Sequence, residues 1–574
     1  MLSRPELHGT IGAVSSTHWL ASSVGTSLYD RGGNAFDAAV AAAFVLQVVE
    51  PHMNGPGGDV PILLYDAATR QVKVVCGQGS MPAAATIGAI RRLGLDAIPG
   101  SGLIPACVPG AFGAWMTVLR QYGRLGVADV LAPAIDYAER GFPLLPPAAA
   151  MIHRLAPMFR QHWVSSAAVY LPDGRPPAPG TRLRNPDLAR TYRRIIAETT
   201  SVTGRELQVD RAVRAFYEGF VAEAVDRFTT GAEVLDLTGR PNRGLLTGAD
   251  LAAWRPAVED PVTLPYRGYL VDKPGPWSQG PVFLQHLAML SGFDLRAMEF
   301  AGADHIHTVV ESAKLAFADR EAWYGDPDYA DVPLAGLLDA DYAAARRALI
   351  EPQASVELRP GRPDGREPRR REGLADGLPA MVRARDDTTT VSATDREGNM
   401  VVATPGGGWL SGSPVVPGLG FPLGTRGQMM SLAERDPNRL TPGKRPRVTL
   451  TPTIVRTDDG RPYLAFGTPG GDRQDQWTLN FFLGTVDFGM SAQEAIEALT
   501  FHTDHLRTSS GTCSVAIEED VAADVVAELR RRGHLVELAP SRSLGQICAT
   551  GPNKTRGVLA AASPRGQQAY AMAR

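Results

Sequence analysis

Thr388 opens a run, TTTVSATDREGNMVVAT, in which β-formers alternate around the turn Asp395-Arg396-Glu397-Gly398-Asn399, and the run reads as a hairpin. The preceding stretch, 355–387, reads SVELRPGRPDGREPRRREGLADGLPAMVRARDD and is charged, rich in Pro and Gly, and without apolar periodicity. Such a composition buries too little apolar surface to offset its ordering entropy, so an exposed, mobile connection is expected. A threonine at that junction could become a new N-terminus. It would then carry a hydroxyl nucleophile and an α-amine on one residue. An unperturbed α-amine titrates at about 7.7 to 8.0, against about 10.4 for lysine, so it can accept a proton near neutrality.

A second chemical signal is PYLAFGTPGGDRQDQW. Here a strand, Tyr463 to Phe466, runs into Gly467-Thr468-Pro469-Gly470-Gly471, and a helix is expected to begin between Asp472 and Gln476. Glycines let backbone N–H groups approach a ligand closely, and a helix N-terminus favours negative charge. Two such donors aimed at one oxygen make an oxyanion hole; a tight β–α turn without a ligand is the simpler alternative. The loops GPGGD (55–59) and PGGGW (405–409) lack the Lys-Ser/Thr pair of a P-loop, and no GxGxxG joins a strand to a helix. Neither a GxSxG elbow nor an HExxH pair is present. His305 and His307, two apart on an expected helix, point in different directions. His502, Asp504 and His505 in FHTDH read as packing or capping groups, so no metal is expected.

These groups must be held by a sizeable core. The chain has 574 residues, 44% hydrophobic and 21% charged, with a formal charge of −3. That is the composition of a soluble globular protein, and it gives no electrostatic reason to expect nucleic acid or an anionic membrane. Arg369-Arg370-Arg371 is flanked by acids and reads as a solvated feature. Cys76, Cys107, Cys513 and Cys548 are scattered without CxxC spacing, which argues against a disulfide framework or zinc site and suits a reducing, cytoplasmic compartment. MLSRPELHGTIGAV lacks the apolar core of a secretory signal. The longest apolar run, Ala35 to Val49, contains Asp37 and Gln47 and stops at Pro51, so it reads as a buried helix.

Along the chain, residues 10–50 predict two Ala-rich helices broken at Arg31-Gly32-Gly33, with Asn34 capping the second. VPILLYD and QVKVVC predict a hairpin. Helical periodicity dominates from 107 to 350, and strand signals return at 388, in RVTLTPTIV and in PYLAFG. Helices first and strands concentrated late imply stacked layers.

Together these features resemble the γ-glutamyltransferase family of N-terminal-nucleophile hydrolases. The resemblance covers nearly the whole chain. It is carried by GGNAFDAAVAAAFVLQVVEPHMNGPGGD, VPGAFGAW (108–115), DLAAWRPAVEDPVTLPYRGYLV (250–271), LAFADREAWYGDP, TTTVS at 388, GKRPRVTLTPTIV and GTPGGDR. It implies an α+β fold, a four-layer αββα sandwich, whose precursor cuts itself at Asp387–Thr388. The products would be a large subunit, 1–387 with its linker at 355–387, and a small one, 388–574, interleaved in one fold. Thr388 would be the nucleophile and base, and Gly470 and Gly471 the oxyanion donors, with no cofactor. Expected partners are a small amide or acyl substrate and the two subunits of one precursor. A homo-oligomer is an open alternative, and neither nucleic acid nor membrane is expected.

Several positions depart from the family pattern. An arginine that grips the γ-glutamyl α-carboxylate becomes Gln78, followed by Gly79, and a Gln cannot reproduce a bidentate guanidinium contact. The Gln/Glu-Met-Asp-Asp run reads Gln428-Met429-Met430-Ser431, which removes an acid for the substrate amine. The residues that assist the nucleophile become Gly406 and Gly408, with Thr404 a neighbouring hydroxyl. A serine pair becomes Val448-Thr449, and Arg473 follows the paired glycines as an anion contact or a structural ion pair. The substrate-facing positions are thus Gln78, Gly406, Gly408, Thr449 and Arg473. Burying a zwitterion without its charge partners costs several kcal/mol, so glutathione is expected to be a poor donor. An amidohydrolase or acyltransferase on a different acyl group follows, bulky or a small acid amide, and the short stretch from Ser431 to Lys444 suggests a more open pocket. A true γ-glutamyltransferase and an unprocessed, non-catalytic relative are the alternatives.

Overall fold

The structure, a computed structural model, describes residues 2–369, 388–505, 513–553 and 557–574. The hairpin read at Thr388 is present: Val391–Asp395 pairs antiparallel with Met400–Ala403, Val391 opposite Ala403 and Thr394 opposite Met400. Its turn is tied by Asp395, which accepts from the amides of Glu397 (2.9 Å) and Asn399 (3.1 Å), the local bonding that suits Asp to turns.

This hairpin lies in the middle of a seven-stranded sheet whose order is Tyr570–Ala573, Gly12–Ser16, Val391–Asp395, Met400–Ala403, Val60–Asp66, Gln71–Gly77 and Ala257–Glu259. A second sheet runs Leu7–Gly9, Val558–Ala562, Cys548–Pro552, Pro462–Gly467, Thr453–Thr457, Tyr269–Lys273 and Val262–Tyr266. All pairings within the two sheets are antiparallel. Both sheets combine strands from either side of residue 387.

The sheets pack face to face, and the period-two alternation of a strand sorts their side chains into layers. Ile62, Leu64, Val401 and Ala403 turn to a core built on the helix Ala35–Val49 with Phe44, Phe112 and Trp115. Leu63, Tyr65, Met400 and Val402 turn inward to meet Ile454 and Ala465 of the opposite sheet. Helices Gly280–Leu290 and Gln474–Val486 cover that second sheet through Phe283, Phe466 and Phe482. The result is the αββα sandwich. No helix among the described residues is long and apolar enough to cross a membrane.

The expected helix break is also present: Asn34 accepts from Phe36 and Asp37 amides, and Asp37 answers in a capping box. Two expectations are corrected. Strands are not concentrated late, because Gly12–Ser16, Ala257–Glu259, Val262–Tyr266 and Tyr269–Lys273 lie in stretches read as helical. They are three to five residues long, and pairing rather than composition defines them; Arg267 (φ 46°) and Gly268 (φ 83°) turn one of these hairpins. Nor is the stretch 355–387 exposed throughout. Ser355 and Gly361 are tied to the helix Ala303–Trp323, with Lys314 Nζ on the Ser355 carbonyl (3.0 Å) and the Gly361 amide on Asp319 (2.6 Å). Arg359 reaches Glu311 (3.4 Å) and Arg366 reaches Asp331 (2.7 Å). Residues 370–387, and with them Asp387, lie outside the described residues.

Candidate active site

Thr388 is buried and forms an antiparallel bridge with Gly406, which itself bridges Asp59. The Thr389 amide continues the ladder onto the Pro405 carbonyl at 2.9 Å. Alternation therefore extends back through the triple threonine. Thr389 faces the helical layer, where its hydroxyl donates to Glu50 (2.7 Å). Thr390 faces the opposite sheet, and a Cβ built on Gly467 would stand 2.6 Å from its Oγ1. Thr388 follows Thr390 to that inner side, and its Oγ1 is buried with no hydrogen-bond partner among the described residues.

Gly467 ends the strand from which Thr468-Pro469-Gly470-Gly471 departs, so the contact with Thr390 brings the glycine loop to the Thr388 end of the hairpin. Gly470 has φ 133° and Gly471 φ 58°, backbone that side-chain-bearing residues rarely adopt, and the Trp477 ring occupies the space of a Cβ on Gly470. Neither amide is taken by an acceptor among the described residues. The loop is fixed from outside. Arg320 donates to Asp472 (2.6 Å) and Gln279 (2.7 Å), and Gln279 Nε2 donates to the Gly471 carbonyl (3.3 Å). Asp475, in the first turn of the helix Gln474–Val486, accepts from Lys273 (3.0 Å) and Thr451 (2.8 Å). Burial pushes its carboxyl up to about 6, against the pull of Lys273, whose ammonium burial lowers.

The remaining expected positions divide. Gln78 is buried, its Oε1 without a partner among the described residues and its Nε2 3.4 Å from the Gly79 carbonyl, and an amide brings no charge. Thr449 and Thr404 are buried, their hydroxyls without a hydrogen-bond partner among the described residues. Gly408 (φ 61°) serves packing: a Cβ there would lie 2.6 Å from the Gly58 nitrogen. Arg473 pairs with Asp504 at 2.7 and 3.2 Å. The Ser431–Lys444 stretch folds on itself, Ser431 bonding Asn438 and Leu440.

His502 and His505 accept hydrogen bonds from Trp477 and the Cys513 amide, as packing groups do. His307, Glu311 and His534 group at ligand spacing, with Glu311 engaged by Lys314 (2.6 Å) and Arg359 (3.4 Å).

Two charged groups escaped the sequence reading. Arg426 is buried, its Nε 3.0 Å from both Asp59 oxygens and its guanidinium 4.8 Å over the Trp409 ring. Burial raises the Asp59 carboxyl even with Arg426 beside it. Glu50, behind Thr389, accepts from Thr17 (2.7 Å), Thr389 (2.7 Å) and Gln568 (2.6 Å) and has no cationic partner among the described residues. Burial pushes it up to about 7. Arg426 sits among glycines, Glu50 ends a hydrophobic helix, and their partners are distant in sequence. The acid of GPGGD was the one local hint.

This geometry accompanies a match to the gamma-glutamyltranspeptidase family model over residues 21–573. The chain belongs to the gamma-glutamyltranspeptidase family. It is 33% identical over 566 residues to the glutathione hydrolase-like YwrD proenzyme of Bacillus subtilis, covering 98% of each chain. Its fold is similar to LmbA2991HD (TM-score 0.94, 48% identity, 100% of each chain). It is also similar to the cephalosporin acylase from Bacillus halodurans (TM-score 0.84, 30% identity, 100% of this chain and 97% of the other). The family is one of enzymes, and the α+β sandwich with its terminal-nucleophile chemistry is that of an amidohydrolase or acyltransferase.

Proposed function

We propose that the chain cuts itself between Asp387 and Thr388 into subunits 1–387 and 388–574 and then acts as a threonine amidohydrolase or acyltransferase. The observation that carries this reading is the approach of the Gly467–Gly471 loop to the triple threonine, through Gly467 and Thr390. Thr388 Oγ attacks the amide carbonyl while its proton passes to the Thr388 α-amine. The tetrahedral oxyanion is met by the Gly470 and Gly471 amides. Collapse breaks the C–N bond, the α-ammonium protonates the leaving amine, and an ester on Thr388 remains. Water or an acceptor amine attacks that ester by the same route, returning the hydroxyl.

The acyl group differs from γ-glutamyl on this reading. Gln78 offers no positive charge, and Met430 and Ser431 offer no negative one. Glutathione is therefore a poor donor. Its acceptance of a γ-glutamyl group would instead follow the names of several relatives. Four buried, unpaired cysteines favour a cytoplasmic setting.

Denaturing electrophoresis of the purified protein tests the first step. Two fragments are expected, the smaller beginning at Thr388 by N-terminal sequencing, and one intact band from Thr388→Ala. An uncut wild type would leave a non-catalytic relative as the reading. Release of nitroaniline from a γ-glutamyl anilide tests the donor, and brisk turnover would overturn the substrate argument.

A further inference from the structure

Lys314 Nζ stands 3.5 Å from Cys513 Sγ, and both side chains reach the same acceptor, the Ser355 carbonyl, at 3.0 and 2.9 Å. Glu311, one turn earlier on the helix Ala303–Trp323, takes a further bond from Lys314 at 2.6 Å. Amine and thiol are thus held side by side on a common third group, and both are buried.

The other cysteines have different neighbours. Cys76 touches the Arg445 guanidinium, Cys107 the Met81 thioether and Cys548 the Gln546 carbonyl. Burial pushes the Cys76 and Cys548 thiols up to about 12, which leaves them inert near neutrality. Among the described residues, only Cys513 is hydrogen-bonded to an amine. All four cysteines are free, so the group placed to trap an oxidised Cys513 is a nitrogen and not a second sulfur. Lys314 also lines a cleft with Asp472, Gln476 and Asp504, which gives a small oxidant a way in.

We propose that Cys513 and Lys314 form a covalent S–O–N bridge, a redox modification site that joins the chain before residue 387 to the chain after it. The oxidant is dioxygen. The Lys314 ammonium first passes a proton to Glu311. The S–H bond and one N–H bond then break, and S–O and O–N bonds form. Sulfur and nitrogen give up two electrons each. One oxygen atom enters the bridge, and the other leaves as water with the two hydrogens. At the present spacing a single inserted atom spans the gap, whereas a direct S–N bond needs a much closer approach. Two equivalents of a dithiol return the thiol, the amine and water, a reversibility that suits redox sensing in a reducing compartment.

Intact-mass spectrometry of protein kept in air, against protein kept anaerobic with dithiothreitol, tests the bridge. The aerated chain should be heavier by about 14 Da, one oxygen gained and two hydrogens lost, and dithiothreitol should remove the difference. A tryptic map should join the peptides that carry Lys314 and Cys513. Cys513→Ser and Lys314→Arg should each abolish the gain, and Cys76→Ser should keep it. If Lys314→Arg does not fold, the joined peptide and Cys513→Ser carry the assignment. Four results would each overturn it: no gain in air, a gain of about 16 or 32 Da with Lys314 still open to trypsin, a loss of about 2 Da, or a gain that survives Cys513→Ser. Thr388→Ala should show the same gain, so failure of the self-cleavage reading leaves this result standing. In cut wild type the two fragments should run as one band on a denaturing gel until dithiothreitol is added, and complete separation without it would also defeat the bridge.

Discussion

Replacing Glu50 by Gln should change stability in a way that depends on pH, by an amount the structure fixes. Glu50 is fully buried, with three hydrogen-bond donors and no opposing cation among the described residues. The nearby His18 and His52 are held neutral by burial, at about 3 and about 4, and Cys548 close by is a buried thiol. The Glu50 carboxyl rises from 4.5 to about 7 because burial outweighs those donors. At about 1.4 kcal/mol per pKa unit, ionising it in the folded chain costs about 3 kcal/mol. The sign follows from the direction. An acid raised by folding carries no penalty below its unfolded pKa, loses stability as pH rises through the interval, and bears the full cost above its folded pKa. Glutamine cannot ionise and so escapes this loss. The comparison belongs in a Thr388→Ala background, where the chain stays whole, with urea unfolding followed by tryptophan fluorescence. At pH 5 the Gln variant should be equal to or slightly weaker than its parent. By pH 8.5 it should have gained about 2 to 3 kcal/mol on the parent. A difference that stays flat across this range would refute the claim that Glu50 is a buried acid without a counter-charge.

Gly470→Ala should lower kcat by about 100-fold or more, because the new Cβ meets the Trp477 ring and the backbone must leave φ 133°; steady-state kinetics within threefold of wild type would argue against an oxyanion role. Lys273→Met alone leaves Asp475 buried without its cation and should cost about 3–5 kcal/mol in urea unfolding, much of it recovered by adding Asp475→Leu. Equal losses in the single and double variants would show that the pair is not the reason the loop is held.

The sequence by itself determined the hairpin at Thr388, the capped helix at Asn34 and the strand–glycine–helix unit at Gly467 to Gln474. Each is written in neighbouring residues, by period-two alternation, a capping side chain, or glycines whose φ no other residue readily adopts. Short strands such as Gly12–Ser16 were not legible, since a few small residues become a strand only when Ser15 and Ser16 find Ser392 and Val391 across the sheet. The charged groups around the triple threonine belong to the tertiary structure alone. Glu50 meets Thr389 and Gln568, and Asp59 meets Arg426, only after folding closes hundreds of residues of intervening chain. A buried charge takes its meaning from what surrounds it in space. Local spacing located the hairpin that Thr388 opens; only packing decided which charges gather around it.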